Sequence, residues 1–281
     1  MKNERYESKM AAEEAGVTPQ AWADEISAKF ADANRLLDIS NDDFIRTTEP
    51  RHREAVQWLL QKVYDNGFIE KGTYEGLYCV GCEAYYKADE LVTGRNGEPE
   101  SCPIHKRPVT HMTEANYFFK LSRFEERLLR HYEEHPEAVQ PETRRNEVLG
   151  FLRSQSLEDL CISRPAARLT WGIPIPFDPA YVTYVWFDAL VNYVSIAAAH
   201  GDSTVLEAIG AESRIQNPES RIWPADAHVI GKDIIKFHAV YWPIMLKAMG
   251  LPLPKQLLVH GWWQKDGAKM SKSTGNVVDP V

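Results

Sequence analysis

Apolar residues recur at helical spacing in four stretches of the chain. Thr18 followed by Pro19 is typical of a helix start. Trp22, Ile26 and Phe30 then repeat every four residues, which predicts a helix whose apolar face lies in the core. The same spacing predicts three more helices, over residues 50–66, 122–134 and 141–152.

Beyond residue 164, short apolar and β-branched runs alternate with helical patterns, which is typical of a parallel sheet with crossover helices. We predict strands over residues 181–186, 228–230 and 256–260. The first two run directly into helix-like segments at Asp188 and Asp233. Because ligands of open α/β sheets bind at the carboxyl ends of the strands, we expect the functional residues there.

The composition is that of an ordinary folded protein, with 44% hydrophobic and 26% charged residues in a chain of 281. Acidic residues outnumber basic ones by 40 to 32, so the net charge of −8 does not favour nucleic acid, and any RNA contact must be local. No apolar run approaches the roughly 18 residues of a membrane-spanning helix. The first ten residues mix both charges, unlike a signal peptide. We therefore expect a cytoplasmic protein with no membrane or DNA partner.

Four metal-binding side chains occur as two closely spaced pairs within residues 73–108. Cys79 and Cys82 form one pair, and Cys102 with His105 forms the other. Three thiolates and a neutral imidazole complete a tetrahedral zinc site without a position for water, so the predicted zinc is structural. The alternative is that these are ordinary buried cysteines and a surface histidine.

A loop near the end of the chain, residues 267–276, has glycines on both sides of Lys269 and Lys272. Two ammonium groups and several hydroxyls suit a polyphosphate, whose charge develops during phosphoryl or nucleotidyl transfer. A basic loop is more often a solvated surface, and the residues alone leave both interpretations open.

Several motifs together resemble one family. The sequence K-M-S-K-S at residues 269–273 is similar to the signature of class I aminoacyl-tRNA synthetases. Further motifs occur in the order of the methionyl branch of that class. They lie at residues 42–47, at the cysteine pairs, and at residues 184–189, 231–233, 237–238, 261–263 and 266–267.

This resemblance implies an α/β class I catalytic core of the Rossmann type, here incomplete, with an inserted zinc-binding connective domain. It implies three regions: residues 1–70 from the first Rossmann half, the insertion over 71–165, and the second half over 166–281. The implied reaction activates methionine with ATP and magnesium and then transfers the methionyl group to tRNA. Catalysis of this kind relies on positioning and charge stabilisation, without a side-chain nucleophile.

The resemblance also implies which residues meet the two small substrates. Aromatic rings and an imidazole suit a polarisable thioether, and the residues that match the methionine side-chain pocket are Trp186, Ala189, Tyr193, Phe237 and His238. For Trp186 and Phe237 the alternative is plain core packing. A glycine permits close approach of ATP, a carboxylate binds ribose hydroxyls and lysines stabilise phosphates. The residues that match ATP-binding positions are Gly231, Asp233, His260, Gly261, Lys269 and Lys272.

Two motifs of the family do not occur in the chain. These are the H-I-G-H loop, whose histidines face the triphosphate, and an early T-D-E-H-G segment, whose acid holds the substrate ammonium. The chain therefore resembles the middle of a synthetase, without the anticodon-binding bundle, and we expect it to be inactive or very weak alone. The alternatives are a zinc-containing binding module, or a fragment of a leucyl, isoleucyl or valyl relative, although those relatives carry a much larger hydrolytic insertion.

Overall fold

The computed structural model describes residues 4–79, 84–86, 90–92, 101–103, 108–211, 219, 221–270 and 276–278, of which residues 4–9, 74, 84, 85 and 269 are described by their backbone alone. The α-helices are α1 (Glu4–Ala15), α2 (Pro19–Leu36), α3 (Pro50–Asp65), α4 (Glu125–Glu134), α5 (Glu142–Ser154), α6 (Val185–Leu190), α7 (Asn192–Ala199), α8 (Ser203–Ala208) and α9 (Trp242–Met249). Two 3₁₀-helices span Leu121–Phe124 and Lys232–Ile234, and a π-helix spans Phe237–Tyr241. The strands are β1 (Ile69–Cys79), β2 (Ala84–Tyr86), β3 (Thr110–Phe119), β4 (Val139–Gln140), β5 (Leu160–Cys161), β6 (Ser163–Pro165), β7 (Pro174–Ile175), β8 (Asp178–Thr183), β9 (His228–Gly231), β10 (Leu257–His260), β11 (Gln264–Lys265) and β12 (Ala268–Lys269).

The strands form a parallel sheet and three antiparallel ones. The parallel sheet has the order β4-β10-β9, with Leu257 of β10 opposite Val139 on one side and His228 on the other. The antiparallel sheets have the orders β2-β1-β3-β5, β6-β8-β7 and β11-β12. The parallel sheet brings the ends of β9 and β10 to one edge, which is where ligands of α/β proteins bind.

The helices predicted from apolar spacing are present, and three of the four bury the predicted face. The predicted stripe of α3 is buried, and so are the predicted stripe positions of α4 and α5. These helices join the parallel sheet in one large hydrophobic core. The buried residues of the stripes are Val56, Leu59, Leu60, Val63, Leu128, Val148, Leu149 and Leu152.

The prediction that the apolar face of α2 lies in the core is wrong. The helix begins as predicted, since the Thr18 hydroxyl oxygen accepts from the amide of Ala21. However, α2 has no buried residue, and Phe30 is 54% exposed. Trp22 and Ile26 instead line an open apolar groove of about 290 Å³. Helical spacing predicts which residues share a face, but not what that face packs against.

The strand predicted over residues 181–186 is also wrong in two respects. Strand β8 ends at Thr183 and pairs with β6 and β7 in an antiparallel sheet, so it is not part of the parallel one. Residues 185 and 186 already belong to α6. Aromatic and β-branched residues favour strands in general, but here packing of the short helix α6 against the core decides the conformation. The predicted strands at 228–230 and 256–260 are confirmed as β9 and β10.

None of the helices in the part of the chain that the structure describes has the length and hydropathy needed to span a bilayer.

Candidate active site

The carboxyl ends of β9 and β10 place three of the predicted ATP-binding residues together. Gly231 and His260 are the last residues of the two strands and lie opposite each other. A methyl group built on Gly231 would lie 3.4 Å from the His260 ring, so the glycine keeps the space beside that ring open. Gly261 follows directly and is exposed, and its carbonyl oxygen lies 2.7 Å from His260 Nδ1. The strand ends thus form an open shelf that suits an extended ligand.

Asp233 lies beside this shelf, in the 3₁₀-helix that follows β9. The indole N–H of Trp262 donates to its carboxylate at 2.7 Å. The ammonium group of Lys232 lies 4.2 Å from the centre of the Trp262 ring, in cation–π contact. Trp262 therefore orients the carboxylate predicted to bind ribose, a role that the sequence interpretation did not assign.

The five predicted methionine-pocket residues come from three structural elements, α6, α7 and the π-helix. Trp186 and Ala189 lie three positions apart on α6 and therefore share a face, and both are half-buried. The rings of Trp186 and Phe237 stack with their centroids 3.6 Å apart and an interplanar angle of 11°. Phe237 is buried in the π-helix, and together the two rings form one continuous apolar wall.

Tyr193 and His238 form the polar part of the same pocket. The Tyr193 hydroxyl lies 2.7 Å from His238 Nε2, and His238 Nδ1 lies 3.0 Å from the carbonyl oxygen of Ile234. Because a carbonyl can only accept, Nδ1 carries the proton and Nε2 accepts from the tyrosine. Burial lowers the pKa of His238 and raises that of Tyr193 to about 12, so both groups are neutral near pH 7. The two polar residues predicted for the methionine pocket are therefore uncharged near neutral pH.

A second buried histidine, His228 at the start of β9, packs behind this pair. Its ring centroid lies 3.9 Å from that of Tyr193, and its Nε2 accepts from the indole N–H of Trp242 at 3.1 Å. Burial, with a smaller contribution from His238, lowers the pKa of His228 to about 4. The neutral imidazole thus supports the back of the pocket without adding a charge.

A buried polar network ties the pocket helices to α3, and the sequence interpretation missed it. His52 Nε2 lies 2.7 Å from an oxygen of Asp188 on α6, and its Nδ1 lies 3.0 Å from the hydroxyl of Ser195 on α7. None of the three residues is more than 1% exposed. The only signals in the sequence are a histidine among the apolar residues of α3 and an aspartate in the apolar stretch 184–189. Nothing in the spacing links them across 136 positions.

Of the two lysines predicted to meet the phosphates, the structure describes one in part. The backbone of Lys269 lies in β12, which pairs with β11 so that Lys269 stands opposite Gln264. Its side chain and the whole of Lys272 lie outside the described residues. Asp266 and Gly267 have positive φ values of 53° and 75° and make the tight turn between the two strands.

Two of the four predicted zinc ligands are described, and the fold brings them together. Cys79 is the last residue of β1, and Cys102 lies in a loop further along the chain. Both cysteines are nevertheless buried in one small cluster with Tyr86 and Val109. Cys82 and His105 lie outside the described residues. In the part of the chain that is described, no three His, Cys, Asp or Glu side chains group closely enough to hold a metal. The proximity of Cys79 and Cys102, one from each pair, fits a shared metal, and the full ligand set stays a prediction.

The parallel sheet with an open shelf at its strand ends, next to a cluster of aromatic rings, is the arrangement of an α/β enzyme that binds its ligand at the strand ends. The family model described as "tRNA synthetases class I (M)" matches residues 6–104 and 97–281. The chain therefore belongs to this family of tRNA synthetases.

Curated relatives are methionine–tRNA ligases. That of Clostridium acetobutylicum is 48% identical over 270 residues, which cover 96% of this chain and 39% of the relative. That of Streptomyces coelicolor is 50% identical over 273 residues, covering 96% of this chain and 48% of the relative. The chain thus spans less than half the length of these relatives. They favour the methionyl interpretation over the leucyl, isoleucyl or valyl alternative.

Among solved structures, the chain is similar to Mycobacterium tuberculosis methionyl-tRNA synthetase bound by methionyl-adenylate. The TM-score is 0.80 at 40% identity, and the match covers 97% of this chain and 50% of that one. The apo form of the same enzyme matches with a TM-score of 0.67, at 39% identity and 86% coverage of this chain.

Proposed function

We propose that this chain provides the methionine pocket and part of the ATP site of a methionine–tRNA ligase. The observation that carries the proposal is the pocket of uncharged rings beside the ends of β9 and β10. Stacked Trp186 and Phe237 offer a thioether an apolar wall, with Tyr193 and His238 beside it. Sulfur–aromatic contacts of this kind contribute about 0.3–1.5 kcal/mol each.

The reaction begins with attack of the methionine carboxylate oxygen on the α-phosphorus of ATP. An oxygen–phosphorus bond forms to give methionyl-adenylate, and the bond to the leaving pyrophosphate breaks. Lys269 and Lys272 stabilise the charge on the phosphates, Gly231, His260 and Gly261 accept the nucleoside, and Asp233 binds the ribose. The terminal ribose hydroxyl of tRNA then takes the methionyl group and releases AMP. Magnesium, which would be bound by the phosphates, adds charge stabilisation.

We also propose that Cys79, Cys82, Cys102 and His105 hold a structural zinc ion. The buried convergence of Cys79 and Cys102 supports this ligand set. Zinc would fix the two pairs against each other and contribute to folding of the surrounding loops. The metal takes no part in the chemistry, because four protein ligands leave no open position.

The proposed organisation follows from the same assignment. Residues 1–70 and 166–281 provide parts of the two Rossmann halves, and residues 71–165 form the connective insertion. Methionine, ATP and tRNA are the proposed partners, with no membrane or DNA partner, and the proposed location is the cytoplasm. The second candidate is a zinc-containing binding module without activity, since the H-I-G-H and T-D-E-H-G motifs do not occur in these 281 residues. The similarity to methionine–tRNA ligases does not favour this candidate.

A chimera tests the proposal. The matching 270-residue stretch of the Clostridium acetobutylicum ligase is replaced by this chain, which is 48% identical to it. We expect the chimera to catalyse methionine-dependent exchange of pyrophosphate into ATP. The chain alone should be at least about 10³-fold slower, because several transition-state contacts are missing together. An inactive but folded chimera would contradict the proposal, and equal rates for chain and chimera would contradict the expected inactivity of the chain alone.

A further inference from the structure

The helical segment that carries Phe237 and His238 is π-helical at these residues and becomes α-helical in α9. Residues Phe237–Tyr241 form a π-helix, and the amide of Trp242 donates to the carbonyl of Phe237, five residues earlier. Short π-helical stretches of this kind are rare and are frequently found at functional sites. The local sequence explains why this one forms.

Pro243 prevents the α-helical pattern from continuing through the segment. In an α-helix the carbonyl of Ala239 would accept from the backbone nitrogen of residue 243. Proline has no N–H, and its ring would crowd that carbonyl. Ala239 is completely buried, so water cannot replace the missing donor. A buried carbonyl that has lost its α-helical donor is stabilised by a hydrogen bond from another part of the chain.

Tyr132 of α4 supplies that hydrogen bond. Its hydroxyl donates to the carbonyl oxygen of Ala239 at 2.7 Å, across 107 positions of sequence. The side chain is buried, and burial raises the pKa of Tyr132, so the hydroxyl keeps its proton. The bond thus joins α4 to the π-helical turn that carries Phe237 and His238.

We infer that Tyr132 is a positioning residue for the methionine pocket, acting through the π-helix. The inference rests on the proposed methionine-binding function. In the present register Phe237 stacks on Trp186 and His238 meets Tyr193. Removing the extra residue of the π-turn would rotate both side chains by about 100° about the helix axis relative to α9. By favouring the π-helical register, the tyrosine hydroxyl keeps the two pocket contacts in place.

Tyr132→Phe removes only the hydroxyl and keeps the ring. Tyr117→Phe is the matched control, because Tyr117 is also buried and its hydroxyl donates to Asp178 at 2.9 Å. The first measurement is backbone amide exchange of Trp242 in the chain itself, followed by NMR. We expect Tyr132→Phe to raise that exchange rate about tenfold, since one buried hydrogen bond no longer supports the turn. The control should leave the rate at Trp242 unchanged.

The second measurement uses the chimera described above. Tyr132→Phe should raise the KM for methionine up to about tenfold, because a smaller fraction of molecules holds the binding-competent register. The KM for ATP should stay the same, and Tyr117→Phe should move neither constant. A purely structural role would lower thermal stability in both variants but leave the KM for methionine unchanged.

The two measurements distinguish failure of the inference about Tyr132 from failure of the proposed function. Unchanged exchange at Trp242 overturns the inference whatever the activity. Faster exchange with an unchanged KM for methionine also overturns it, because the turn would then not position the pocket. If the chimera with the original sequence shows no activity, the proposed function fails, and the amide exchange decides by itself whether Tyr132 holds the π-helix.

Discussion

Replacing His52 with leucine should destabilise the protein by about 2 kcal/mol or more, because it removes the buried hydrogen bonds of His52 to Asp188 and Ser195. His52 is 0% exposed and Asp188 is 1% exposed, and the two side chains approach to 2.7 Å. Leucine has a volume close to that of histidine, so the loss is mainly electrostatic and not a cavity effect.

The control uses a second histidine–aspartate contact with the opposite environment. His200 lies 2.8 Å from Asp43, but its side chain is 45% exposed, and Arg51 also binds that carboxylate. His200→Leu should therefore cost less than about 1 kcal/mol. The double variant His52→Leu with Asp188→Leu should recover part of the stability lost in the single variant, because the carboxyl group that loses its bond to His52 is then removed as well.

Urea unfolding at pH 7, followed by far-UV circular dichroism, gives the free energy of unfolding for each variant. A loss of under about 1 kcal/mol for His52→Leu, or one equal to that of His200→Leu, would refute the reasoning that burial makes this pair important. A double variant as unstable as His52→Leu would show that the loss comes from packing.

Two further predictions concern pH and zinc. The pKa of His228 is lowered to about 4 in the folded protein against 6.5 unfolded, so its contribution to stability is present above pH 6.5 and is lost as the pH falls towards 4. His228→Gln should reduce the loss of stability between pH 7 and pH 4.5 by up to about 3 kcal/mol, measured by urea unfolding, and an unchanged loss would contradict this. Metal analysis should find one zinc ion per chain, which Cys102→Ser removes and Cys161→Ser retains, because Cys161 lies outside both pairs. Stoichiometric zinc in Cys102→Ser would contradict the ligand assignment.

Local patterns predicted much of the fold, and long-range contacts account for what they missed. The apolar stripe of α3 predicts both the helix and its buried face, because residues three and four positions apart lie on the same side of a helix. The face of α2 has the same spacing, yet Phe30 is exposed, since burial depends on a neighbour that the pattern does not specify. The predicted strand end at residue 186 was wrong, since β8 ends at Thr183 and α6 begins at Val185, because tertiary packing outweighs local preference.

The candidate site was predicted mainly from the resemblance to a family and less from the chemistry of the individual residues. Trp186 and Phe237 are aromatic residues that could equally fill a core, and only the motif order assigned them to a pocket. The structure shows that the two rings stack, and their role in binding stays a prediction. His52, Tyr132 and Trp262 were missed because each acts on a partner far away in sequence. Single-sequence patterns do not encode such pairings.

The central claim is that the ring pocket holds the methionine side chain. The most direct test compares Phe237→Ala with Phe177→Ala in the chimera, since Phe177 stacks on Tyr64 instead of on a pocket residue. Phe237→Ala should raise the KM for methionine about tenfold or more while changing the KM for ATP less than about twofold, because the lost contacts are with the thioether. Phe177→Ala should leave the ratio of the two constants unchanged. An equal rise of both constants in Phe237→Ala, or no rise for methionine, would contradict the claim.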